Sequence, residues 1–260
     1  MLELRALSAF ADNYIWALVA PDGRAVVVDP GQAGPVAAAA AQGLQPVAIL
    51  LTHHHADHVG GAAELRERWR APCYAPVDAR IDAVDERVGA GSRVRIDALG
   101  LELDVLEVPG HTRSHIAFVG AGHLFCGDTL FSLGCGRLFE GTPEQMHDSL
   151  GRLAALPGAT AVCCGHEYTL ANAQFARAVE PRNRALQERQ AEAAALRTAG
   201  RPTLPSRIDR ERDTNPFLRT GMPAVVEAVA ARLGREPRNP VETFATLREW
   251  KDGFRPEPAR

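Results

Sequence analysis

The alternation of apolar and polar positions divides the chain into two regions of different character. Up to about residue 170, short apolar or alternating runs predict strands with helical periodicity between them. Leu2 to Phe10 and Tyr14 to Ala20 read as strands around an Ala11-Asp12-Asn13 turn, and Pro21-Asp22-Gly23 is a second turn. Ala25 to Val28 is a buried strand that ends on Asp29-Pro30-Gly31, and Pro35 to Gln42 is an alanine-rich helix stopped by Gly43. The apolar run Val47 to Leu51 has the length of a buried strand and stops at Thr52. Ala62 to Trp69 is helical, with Leu65 and Trp69 on one face. Cys73 to Ala75, Leu101 to Val108, Ile116 to Val119, Leu124 to Cys126 and Ala159 to Cys164 are further strands. Between the last two, Thr142-Pro143-Glu144-Gln145 opens a helix with Thr at the cap, Pro at the first position and Gln three on from the cap.

Beyond about residue 170, strand patterns stop. Asn172 to Ala178, Asn183 to Thr198 and Met222 to Leu233 are predicted helices, the second so charged that it reads as largely solvated. Asn239-Pro240-Val241-Glu242 repeats the capping-box pattern and starts a last helix, whereas Asn215-Pro216-Phe217-Leu218-Arg219 is irregular. Strands alternating with helices, then helices alone, predict a layered α/β domain over residues 1–170 and an α-helical domain over residues 171–260.

Composition changes this picture little. Hydrophobic residues are 46% and charged residues 23%, as in an ordinary globular protein. A formal net charge of −3 gives no broad electrostatic footprint for nucleic acid. No apolar run approaches the ~18–20 residues of a membrane span, so no membrane partner is expected. The start, Met-Leu-Glu-Leu-Arg-Ala-Leu, lacks a basic region followed by an apolar one, which reads as a cytoplasmic protein, with a monomer as the default state. Cys73, Cys126, Cys135, Cys163 and Cys164 are an odd count with no C-x-x-C pair, so reduced buried thiols are expected.

The chemistry sits where strands end. The run to Leu51 empties into Thr52-His53-His54-His55-Ala56-Asp57-His58, and His111, Asp128 and His166 each follow another apolar run. Ligand sites of open α/β sheets form at such strand ends. Imidazole and carboxylate together suit zinc and related ions. Consecutive histidines also occur as tags and solvated loops, but a tag sits at a terminus without an apolar strand in front of it.

Thr52, His53, His55, Asp57 and His58 resemble the Thr-His-x-His-x-Asp-His signature of the metallo-β-lactamase superfamily, matched at every fixed position. The resemblance implies a four-layered αββα sandwich and two divalent metal ions. His53, His55 and His111 would hold the first; Asp57, His58 and His166 the second. Asp128 would bridge both, together with a water or hydroxide, and Asp29 would orient the histidine loop. Zinc is the expected metal, although the ligand sets suit iron and manganese as well. His54 falls on a variable position and is expected not to ligate; His115 is expected to make a structural hydrogen bond, and His123 and His147 read as surface residues.

Further stretches resemble the hydroxyacylglutathione hydrolase (glyoxalase II) family: Gly127-Asp128-Thr129-Leu130-Phe131, Gly134 to Thr142, Cys164 to Thr169, Asn215 to Arg219 and Leu247 to Phe254. This implies hydrolysis of S-D-lactoylglutathione to D-lactate and glutathione, the second step of methylglyoxal detoxification, by hydroxide held between two metals, with Asp57 and Asp128 as the catalytic carboxylates. It also implies that Arg137, Phe139, Tyr168, Arg248 and Lys251 bind the glutathione part. Arg248 and Lys251 are three apart on one helix face, where two like charges suit an intervening anion; a solvated basic helix end is the plainer alternative. Phe139 departs from the family's tyrosine and lacks a hydroxyl to donate. The alternatives to this activity are another superfamily enzyme, a lactonase or persulfide dioxygenase, or a metal- or nucleic-acid-binding protein without turnover.

Overall fold

The computed structural model describes residues 2–82 and 84–255; the outermost ends of the two expected domains, Met1 and residues 256–260, lie outside the described residues. The chain forms two compact units, one of residues 1–108, 114–127 and 163–166, the other of residues 109–113, 128–162 and 167–260.

The first unit opens with β1 (Glu3–Ala9), β2 (Asn13–Val19) and β3 (Arg24–Val28), followed by α1 (Ala33–Ala40), β4 (Gln45–Leu50), α2 (Ala56–Val59) and α3 (Ala62–Trp69). Next come β5 (Cys73–Pro76), β6 (Glu86–Val88), β7 (Arg93–Ile96), β8 (Leu101–Glu107), β9 (Ile116–Gly120) and β10 (His123–Gly127). One sheet has the order β1-β2-β3-β4-β5-β6, antiparallel up to β3 and parallel from there. All residues of β2 are buried, so this sheet is covered on both faces. On one face Ile15, Ala17, Val27, Ile49 and Leu51 pack with Val36 of α1 and Leu65 of α3. A second sheet runs β10-β9-β8-β7, and residues 163–164, the end of a later strand, continue it beside β10. The Trp16 indole N–H donates to the Cys164 carbonyl at 2.9 Å, tying β2 to that strand.

The second unit holds β11 (Leu130–Phe131) and β12 (Gly134–Cys135), then α4 (Pro143–Ala154), the first two residues of β13 (Ala161–Cys164), α5 (Thr169–Val179) and α6 (Arg184–Thr198). It closes with β14 (Ser206–Arg207), α7 (Ile208–Thr214), α8 (Pro223–Leu233) and α9 (Pro240–Gly253). The expected capping box of α4 is complete, with Thr142 and Gln145 bonded reciprocally. At α9 only half of it forms. Asn239 accepts from the Glu242 N–H, while the Glu242 carboxylate turns to Arg235 and Arg238. α6 is largely solvated, as expected, with Leu186, Arg189 and Ala193 buried and Arg189 donating to the Thr203 carbonyl. His123 and His147 are half-buried rather than on the surface, His123 stacked on Phe125 and His147 bonded to Thr220.

Short elements escaped the sequence pattern. β6 carries two exposed charges in three residues, and β7 is an edge strand of four. α7 shows no apolar period because its inward face carries Glu211, which accepts from the Leu133 N–H and the Asn215 side chain. All five cysteines are buried and outside any disulfide, as expected.

Candidate metal centre and substrate cleft

In the first unit, Asp29 stands at the end of β3 with φ 51°, a left-handed conformation that Asp tolerates better than most residues. Its carboxylate is buried and accepts from the Thr52 N–H at 2.8 Å, the Thr52 hydroxyl at 2.7 Å and His58 Nδ1 at 3.0 Å. With its oxygens so engaged, Asp29 orients the loop after β4. A carboxylate accepts only, so His58 Nδ1 carries the proton and Nε2 presents its lone pair. The same logic reaches His53. The Thr52 hydroxyl gives its proton to Asp29 and therefore accepts from His53 Nδ1, 3.0 Å away, which leaves His53 Nε2 as the unprotonated nitrogen. That nitrogen lies 3.1 Å from His55 Nδ1.

His166 follows β13, and its Nδ1 lies 2.8 Å from Asp12 Oδ1. His166 Nε2 and His58 Nε2 face one carboxylate oxygen, Asp57 Oδ2, at 3.4 and 3.5 Å. The donor atoms of Asp57, His58 and His166 all lie within 4.8 Å of one another. His54 turns aside to Asp78, 3.5 Å away, and His115 Nδ1 bonds the Ile116 carbonyl at 3.0 Å, the structural role expected of it.

In the second unit, His111 Nδ1 bonds the Arg137 carbonyl at 2.9 Å, so this ring too carries its proton on Nδ1, and its Nε2 lies 3.5 Å from Asp128 Oδ2. Gly136 makes this fit possible: a Cβ there would stand 1.9 Å from the Asp128 carbonyl oxygen and 3.1 Å from His111 Nδ1. His111 and Asp128 open onto a cleft of about 440 Å³, also lined by Arg137, Phe139, Tyr168, Arg248 and Lys251. All the residues expected to bind glutathione thus share one cavity.

They are not equally available. The Arg248 guanidinium is buried and donates to the Cys135 carbonyl and to Asp252, both at 2.9 Å. Lys251 is half-buried, with its ammonium 3.1 Å from the Ala171 carbonyl. Burial, followed by the nearby charges of Arg248 and Arg137, pushes its pKa down to about 8. The Arg137 side chain is largely exposed and lies 3.5 Å from Asp252. Phe139 is 62% exposed with its ring edge to His111, and Tyr168 stands edge-on to Phe131. Burial pushes the Cys135 thiol up to about 11, which argues against a nucleophilic role. Sequence reading missed Asp12 and Asn13, whose only signal was a turn.

The model of the metallo-β-lactamase superfamily matches residues 13–93 and 76–166, and that of the hydroxyacylglutathione hydrolase C-terminus matches residues 167–254. The fold is accordingly of the metallo-β-lactamase class, with mixed sheets and a helical C-terminal region. Within that class, the chain belongs to the hydroxyacylglutathione hydrolase family. It is 63% identical over 98% of its length to the whole hydroxyacylglutathione hydrolase of Xanthomonas euvesicatoria pv. vesicatoria (strain 85-10). It is 59% identical over 97% of its length to 98% of that of Xylella fastidiosa (strain M12). Among solved structures, ETHE1 from Myxococcus xanthus has a TM-score of 0.63 at 25% identity, covering 97% of this chain and 100% of that one. TTHA1623, solved in a di-iron-bound form, has a TM-score of 0.51 at 33% identity, covering 63% and 91%.

Proposed function

We propose that this protein hydrolyses 2-hydroxyacyl thioesters of glutathione, S-D-lactoylglutathione first among them, releasing D-lactate and glutathione. The observation that carries the reading is the cleft of the second unit, where a histidine–aspartate pair of metal-ligand type and side-chain cations share one cavity. Glutathione thioesters carry two carboxylates, and Arg137 and Lys251 supply the complementary charge. Membership of the family, with relatives matched over nearly their whole length, supports the same reaction.

The donor set fits divalent metals. In His53, His58, His111 and His166 one ring nitrogen is satisfied by an oxygen, which leaves the other as a lone pair, the arrangement that ligating imidazoles require. We propose that His53, His55 and His111 hold one ion, that Asp57, His58 and His166 hold a second, and that Asp128 serves both, with zinc as the resident metal. Two such cations would supply water ionised near neutral pH and offset charge on the thioester oxygen. Asp57 and Asp128 accept hydrogen bonds from the attacking water and aim it at the thioester carbon. Arg137 and Lys251 hold the glutathione carboxylates, Arg248 shapes the wall beneath them, and Tyr168 offers a hydroxyl. Phe139 packs its apolar ring against His111 and donates no bond. The departing thiolate, with a thiol pKa near ~8.5, is stable enough to leave without a general acid.

Residues 1–170 would then form the catalytic domain and residues 171–260 the glutathione-binding one, a division in keeping with the family matches on 13–166 and 167–254. Among the described residues no helix is long and apolar enough to cross a membrane, and we place the enzyme in the cytoplasm as a monomer. The test is hydrolysis of S-D-lactoylglutathione by purified protein, with metal content measured on the same sample and Asp128→Ala as control. Rapid turnover with two ions per chain, reduced together in the variant, is the expected result. A fully metallated protein inert toward this thioester overturns the substrate assignment.

A further inference from the structure

The turn between β1 and β2 touches the Asp57–His58–His166 cluster at two places. Asp12 Oδ1 lies 2.8 Å from His166 Nδ1. The Asn13 amide donates to Asp57 Oδ2 at 3.0 Å, the same oxygen that faces His58 Nε2 and His166 Nε2. Backbone contacts fix the turn in place. The Tyr14 N–H donates to the Gly165 carbonyl at 2.8 Å, Asn13 forms an isolated antiparallel bridge with His166, and the Phe10 N–H donates to the Gln32 side chain at 2.9 Å. All of these residues belong to the first unit.

We propose that Asp12 and Asn13 are positioning residues for one metal only, the ion held by Asp57, His58 and His166; this rests on the ligand assignment above. Asp12 can only accept, so it holds the His166 proton on Nδ1 and turns the Nε2 lone pair inward. Asn13 fixes the carboxylate rotamer of Asp57. The third residue of the cluster, His58, is oriented instead by Asp29, which also steers His53 through Thr52. The two metals therefore differ in their support. Loss of Asp29 disturbs ligands of both, whereas loss of the turn's side chains disturbs ligands of one. Asp12 itself is about two-fifths exposed and makes no bond within the first unit's apolar core, so its replacement leaves that core intact.

The test is metal stoichiometry and affinity by chelator competition with zinc, and by cobalt(II) absorption, on full-length wild type, Asp12→Ala, Asp12→Asn and Asn13→Ala. The wild type should bind two ions. Asp12→Ala should weaken one of them about 10–100-fold and leave the other unchanged, with a wild-type melting temperature. Asp12→Asn, whose amide oxygen still accepts, should fall between the two, a graded response that a merely structural role would not give. Asn13→Ala should weaken the same ion, which covers the case in which Asp12→Ala fails to fold. Two ions bound at wild-type affinity in all variants overturn the proposal, as does equal weakening of both. A wild type that binds a single ion overturns the ligand assignment instead.

Discussion

The metal cluster of the first unit and the cleft of the second are built on opposite plans. In the cluster, the side chains are short, the histidines His58 and His166 are buried, and one atom of each is held by another group: Asp29 by Thr52, His58 by Asp29, His166 by Asp12. In the cleft, long side chains reach a half-open cavity, and their cations are tethered at one end by Asp252 or by main-chain carbonyls. The difference suits the tasks proposed for them. Chemistry at a metal needs lone pairs aimed to within fractions of an ångström, while recognition of a flexible tripeptide needs charge at the right distance and tolerates play.

The largest effect is expected at the metals. Removing them with a strong chelator should take hydrolysis to background, and zinc should restore it; persistence of activity in metal-free protein would end the account of the cluster. Next in size is Asp29→Ala. It strands three buried donors and should cost roughly 2–4 kcal/mol of stability in urea unfolding, with weaker metal binding besides. An unchanged midpoint would show that the cluster is not over-determined as described.

The cleft should respond in KM rather than in kcat. Lys251→Gln should raise KM about 10-fold, as expected for one charge-assisted contact. The pH dependence follows from the Lys251 pKa of about 8. The ammonium is lost as pH rises through that value, so wild-type KM should climb between about pH 7 and 9. In Lys251→Gln it should stay flat over the same range, and a parallel climb in the variant would assign the titration to another group. The smallest effect is expected from Phe139→Tyr. It supplies the missing hydroxyl and should lower KM several-fold, about 1 kcal/mol, at constant kcat. A large change in kcat would mean that the Phe139 ring against His111 affects chemistry and not only binding.

Much of this was legible in the residues. The apolar run into Thr52 predicted a strand that stops at the histidine loop, and β4 does end there. The Thr142 cap and the helices beyond residue 170 are where pattern and capping chemistry put them. β6, β7 and α7 were not legible, because edge strands and a helix that buries Glu211 carry no apolar period. The charge-rich α6 is largely solvated as its pattern predicts, but the burial of Arg189, through bonds to groups distant in sequence, was not legible.

By itself the sequence carried the family resemblance and, through it, the candidate ligands and the candidate cations of the cleft, because the motif residues stand at fixed spacing. Only the tertiary structure decided which nitrogen of each imidazole bears the proton, that Arg248 is tied to Cys135 and Asp252, and that Asp12 and Asn13 reach the cluster. The reason is physical. Periodicity reports which side of an element is buried, but a hydrogen-bond acceptor 154 residues away from its donor leaves no mark on either local pattern.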